Sequence, residues 1–121
     1  MNIVYITQGN NKRHMSNNVI SEGDRKFIVE RALPYFGVEK INIRWSSSFK
    51  KYPDIWLSYR NGLPVITVTR EWKRQSPDER RKRIVHEFLH ITGMQHDRAI
   101  GYSTYPNQDT FSMRVYRDII R

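Results

Sequence analysis

The chain has 121 residues, a formal net charge of +9 from 21 Lys and Arg against 12 Asp and Glu, and no cysteine. That length suits one domain over 1–121 with one modest core, and 38% hydrophobic content excludes a disordered tail. The missing cysteine excludes disulfide scaffolds, thiolate zinc fingers, iron–sulfur clusters and cysteine nucleophiles, so any metal site must use His, Asp or Glu.

Asn2–Thr7 is rich in β-formers and reads as a strand. Asn10–Asn18 is polar and irregular, and His14 within it reads as an exposed histidine, not a ligand. Ser21-Glu22-Gly23-Asp24 marks a helix start. Phe27, Ile28, Ala32, Leu33 and Phe36 then recur at helical spacing up to Gly37. Ile41, Ile43 and Trp45 alternate with polar residues, the pattern of a strand with one buried face. Ile55–Arg60 and Leu63–Thr69 flank Asn61-Gly62, a strong hairpin signal.

A basic cluster follows around Arg70–Arg83. Ser76-Pro77-Asp78-Glu79 supplies an N-cap, a proline suited to the first helical position and the acid of a capping box. Ile84, Val85, Phe88, Leu89 and Ile91 form the apolar side of the helix that follows, and Gly93 is expected to stop it. Tyr102–Gln108 reads as loop, and a final helix is expected from about Asp109 through Val115, Tyr116, Ile119 and Ile120. The order β-α-β-β-β-α-α implies an α+β fold: a small mixed β-sheet with an active-site helix and a C-terminal helix.

The chemistry concentrates in His86-Glu87-Phe88-Leu89-His90-Ile91-Thr92-Gly93-Met94-Gln95-His96-Asp97. His86 and His90 lie about 40° apart around a helix and roughly 6 Å along it, so two imidazoles there can grip one ion. On a continuing helix His96 would point about 120° away from His90. The chain must leave the helix for His96 to return, and Gly93 accepts the positive φ this needs. Three imidazoles leave one zinc position open for water, the catalytic arrangement. Glu87 starts partly away from His90, placed to hydrogen-bond that water as a general base. A chance occurrence of His-Glu-x-x-His followed by Gly and His at these positions is on the order of 1 in 100,000 at this composition.

This HExxHxxGxxHD segment resembles the zinc-binding consensus of the metzincin clan of metallopeptidases. The resemblance implies a metzincin-like zincin fold, one Zn2+ per chain held by His86, His90 and His96, and catalysis by Glu87. It implies a zinc-dependent endopeptidase acting on polypeptide substrates. In that clan an edge strand before the active-site helix binds the substrate backbone, and Leu63–Thr69 is the expected edge. The clan also carries a methionine in a tight turn beneath the metal. Met113 is the candidate, with plain helical core as its alternative. Asp97 either orients a ligand histidine through its second N–H or caps the following loop. Tyr102, Tyr105 and Tyr116 are candidates for stabilising the oxyanion, each with ordinary packing as its alternative.

No apolar run approaches the ~20 residues needed to span a bilayer, and Met1–Thr7 lacks the flanks of a signal peptide. No membrane partner and a cytoplasmic location are the expectations. The positive charge leaves nucleic acid open as a partner, beside a merely solvated basic face. Two alternatives to a free endopeptidase therefore stand. One is a nucleic-acid-associated metalloprotease resembling the SprT-like family. The other is a basic DNA-binding module with a structural zinc.

Overall fold

Short stretches of regular sequence, each with its own start and stop, build the frame that carries the histidines. The fold comes from a computed structural model, which describes residues 3–7, 20–46, 54–93 and 105–121, with residues 3–7 and 105–110 described by backbone alone. It is a small mixed α+β arrangement. Strand β1 is Ile3–Thr7, β2 is Lys40–Trp45, β3 is Ile55–Arg60 and β4 is Leu63–Val68. They form one four-stranded sheet in the order β1-β2-β4-β3. β1 and β2 are parallel, as are β2 and β4, and β3 runs antiparallel to β4.

The first helical stretch consists of α1 (Glu22–Phe27), a π-helical segment (Ile28–Ala32) and α2 (Leu33–Phe36). Ser21 caps it, its hydroxyl accepting from the Asp24 N–H at 3.1 Å. Pro34 has no N–H to give and its ring crowds the turn before it. The wide segment ends just ahead of it, where the Leu33 N–H donates to the Ile28 carbonyl five residues back. Gly37 stops the helix at φ 67°, with Gly37 N–H on Pro34 O and Val38 N–H on Leu33 O, the Schellman pattern.

The hairpin turns at Asn61 (φ 53°) and Gly62 (φ 79°), both in the left-handed region that a type I′ turn requires. Its orientation corrects the expected edge. Leu63–Thr69 is not at the rim: β4 lies between β2 and β3, and β3 is the edge strand on that side of the sheet, with β1 at the other edge. The reason is apolar content. Val65, Ile66, Thr67 and Val68 are all buried, so β4 needs neighbours on both sides, whereas Ser58, Tyr59 and Arg60 of β3 are exposed.

Two further differences concern helices. The basic cluster contains a helical turn, α3 (Arg70–Lys73), capped by Thr69 and built around a fully buried Trp72 whose indole N–H donates to Arg80 O at 3.1 Å. The final helix starts earlier than Asp109. Following α4 (Pro77–Ile91), α5 spans Tyr105–Ile120, so Tyr105–Gln108 is helical, with Pro106 in the first turn where a missing N–H costs nothing.

The core lies where the helices meet one face of the sheet: Ile28 and Leu33, Ile41 and Ile43, Ile66 and Val68, and Ile84, Val85 and Phe88 are fully buried in one cluster. Buried Asp24 ties α1 to α4, accepting from Arg80 Nε at 2.7 Å and Arg81 Nε at 3.0 Å. Among the described residues no helix is long and apolar enough to cross a membrane.

Candidate metal centre

Helix α4 begins as its sequence dictates. Ser76 Oγ accepts from the Glu79 N–H at 3.3 Å, Pro77 occupies the first turn, and Asp78 and Glu79 place negative charge at the positive end of the helix. Glu79 then pairs forward with Lys82 at 2.7 Å and Arg83 at 3.6 Å. Ile84, Val85, Phe88 and Leu89 press into the core, which fixes the rotation of α4 and brings His86 and His90 to its half-buried margin. The helix ends at Ile91. Thr92 N–H reaches Phe88 O, Gly93 N–H reaches His90 O, and Gly93 takes φ 113°, which L side chains rarely adopt.

The two imidazoles meet edge to face with centroids 4.5 Å apart and their Nε2 atoms 2.9 Å apart. The Glu87 carboxylate joins them, all three ligand atoms lying within 4.8 Å of one another. The Glu87 side chain is held by both α4 and the edge strand β3. It is only 7% exposed, and burial pushes its carboxyl up to about 8, assisted by the negative charge of Asp54. A hydrogen bond from the Leu57 backbone in β3 and the Arg83 guanidinium pull the other way.

The donor set fits a zinc ion. Two neutral imidazole nitrogens bound at the usual length would stand about 3.3 Å apart on a tetrahedral ion, a few tenths of an ångström more than the 2.9 Å here. Lone pairs of two nitrogens at that separation repel unless a proton or a cation lies between them. His86 presents its other nitrogen, Nδ1, to Ser112 Oγ on α5 at 3.2 Å.

The remaining expected residues divide. His96 and Asp97 lie outside the described residues, as do His14 and Tyr102. Met113 sits inside α5, partly buried against the core cluster, which is its helical-core alternative and not a tight turn. Tyr105 is the first residue of α5. Tyr116 is spoken for elsewhere: its hydroxyl donates to Asp78 Oδ1 at 2.7 Å and its ring meets Phe27 edge-on at 5.6 Å. Asp78 precedes His86 by roughly 12 Å of helix, so Tyr116 does not reach the histidine pair.

Three contributors carried no sequence signal. Asp54 is reached by Arg83 Nη1 at 3.2 Å and by the Gln75 side-chain amide, and Leu57 and Ser112 come from β3 and α5. Each is far from the motif in sequence and of a residue type too common to stand out. The basic cluster is also less free than its composition implies, since Arg80 and Arg81 pair with Asp24, Lys82 with Glu79 and Arg83 with Asp54.

No protein-family model matches the chain, and comparison with curated proteins and with solved structures returns no match either.

Proposed function

We propose that this chain is a zinc-dependent endopeptidase with a metzincin-like zincin fold. The observation that carries the reading is the convergence of His86 Nε2 and His90 Nε2 on one point beside the buried Glu87 carboxylate. His86 and His90 would hold the ion with His96 as the third ligand. A bound zinc supplies Lewis acidity, acidifying water and polarising a peptide carbonyl.

The protein's own groups do the rest. Glu87 accepts the proton of the attacking water on a carboxylate oxygen and delivers it to the leaving nitrogen. Burial beside Asp54 favours its protonated form, and a neighbouring cation favours the ionised form that a base requires. β3 is the edge strand on the side of the sheet next to Glu87, and its Leu57 backbone touches that side chain. An extended polypeptide adding to that edge by main-chain hydrogen bonds would bring its own carbonyls alongside the base.

The test is zinc content together with cleavage of a denatured protein substrate by wild type and Glu87→Gln. About one zinc per chain, with cleavage in wild type alone, is the expected result. Zinc-loaded wild type that cuts nothing across a broad peptide library would overturn the peptidase reading.

The exposed cations of α3 sustain a second reading, a nucleic-acid-associated metalloprotease. Arg70 is exposed, and the Arg74 side chain is 66% accessible, with Glu71 at 3.6 Å. DNA binding that weakens steeply with salt would favour it.

A further inference from the structure

Ser112 lies on α5, 26 residues from His86 in sequence, yet its side chain is fully buried against that imidazole. A hydroxyl both donates and accepts, and a neutral imidazole carries one proton on either nitrogen. The 3.2 Å approach of Ser112 Oγ to His86 Nδ1 therefore admits two proton arrangements. If Ser112 donates, Nδ1 is bare and the ring proton sits on Nε2, the atom that faces His90 at 2.9 Å. If Ser112 accepts, Nδ1 carries the proton and the Nε2 lone pair points at the histidine pair. A serine inside a helix commonly gives its own proton to a carbonyl of the preceding turn, which leaves its lone pairs for a donor such as Nδ1–H.

We infer that Ser112 is a positioning residue: it accepts a hydrogen bond from His86 Nδ1–H, fixing the tautomer and the ring orientation that present Nε2 to a divalent metal. The inference rests on the reading of His86 as a metal ligand. It assigns α5 a part in the centre, because an imidazole pinned through one nitrogen loses less freedom when the other binds an ion. In the metal-free protein the same assignment makes His90 the donor of the Nε2···Nε2 contact and His86 its acceptor.

The tautomer is read directly by long-range proton–nitrogen NMR of the metal-free, full-length protein. His86 is expected in the Nδ1–H form and His90 in the Nε2–H form. An Nε2–H tautomer at His86 overturns the inference and needs no variant.

Zinc titration then compares wild type, Ser112→Ala and Ser112→Thr. Removing the acceptor is expected to weaken zinc binding by about 10- to 100-fold and to mix the His86 tautomers. Ser112→Thr, which keeps the hydroxyl, is expected to restore both. A folded Ser112→Ala that binds zinc as wild type does, with its tautomer unchanged, overturns the inference while leaving the zinc reading intact. Wild type that binds no zinc at all sinks the metal reading, and the tautomer measurement still decides whether Ser112 holds the ring.

Discussion

Asp24 on α1 and Arg80 on α4 form a buried ion pair at 2.7 Å that joins the first helix to the helix carrying the histidines, with Arg81 completing the arrangement at 3.0 Å. The Asp24 side chain is almost fully enclosed, while the two arginines keep a small exposed fraction. Removing the carboxylate leaves two guanidinium groups without their counter-charge in a mostly dry place. Asp24→Ala is expected to cost about 3 kcal/mol, at the low end for a buried pair because the arginines retain some water. Urea denaturation checks this. A loss below about 0.5 kcal/mol, the size of an ordinary surface change, would show that the pair adds nothing to stability.

Metal binding and turnover should separate by residue. His86→Ala, His90→Ala and His96→Ala are each expected to lower zinc occupancy sharply, as measured by competition with a chromogenic chelator. Glu87→Gln is expected to keep zinc and lose peptide cleavage by about 10²–10⁴-fold, the usual contribution of a general base. Full occupancy in His96→Ala would remove the third ligand and leave a two-histidine site.

The contrast between that helix and its surroundings shows how much was legible in the sequence. The cap at Ser76, the spacing of His86 and His90 and the Asn61-Gly62 turn are local rules, and each appears in the structure as its residues dictate. The identity of the edge strand is not local. It depends on whether β3 or β4 docks on β2, and the double-sided burial of Val65–Val68 settles it only once β2 is present. Trp72 hid inside a run of charges because one buried aromatic has no period. Ser112 and Asp54 act through pairings across 26 and 29 residues, with His86 and Arg83, which a linear pattern does not encode.

The metal-free protein should show a pH dependence that Glu87 explains. Its folded carboxyl sits at about 8 against an ordinary 4.5, chiefly through burial. Between those values the folded state holds a proton that the unfolded state has released. The stabilisation is therefore complete below about 4.5, declines as pH rises and is gone once the carboxyl ionises near 8. In chelator, the melting temperature of wild type relative to Glu87→Gln should fall from pH 5 to pH 8.5. The wild type minus Glu87→Gln difference isolates what the Glu87 carboxyl brings to the cluster. A difference that is flat across this range would place the Glu87 carboxyl in its ordinary range.

Chelation should leave the fold standing. The fully buried residues of the core belong to the sheet and helices, and His86 and His90 sit half-buried at its margin. Far-ultraviolet circular dichroism with and without chelator is expected to retain most helical signal. Complete unfolding on metal removal would make the zinc a structural one.

Two hydrogen-bonded contacts between α5 and α4 run in opposite chain order: Ser112 meets His86, and Tyr116 meets Asp78. Both anchors lie one turn apart on α5, so they behave as two pegs in one rack. A single residue inserted between them would swing the second peg by about 100° while leaving the first in place. Length is thus constrained inside α5 in a way it is not at the exposed Asn61-Gly62 tip, where added residues enter solvent. A library of one-residue insertions along the chain would show this as a sharp gap in tolerance over 112–116, beside a permissive site at the hairpin.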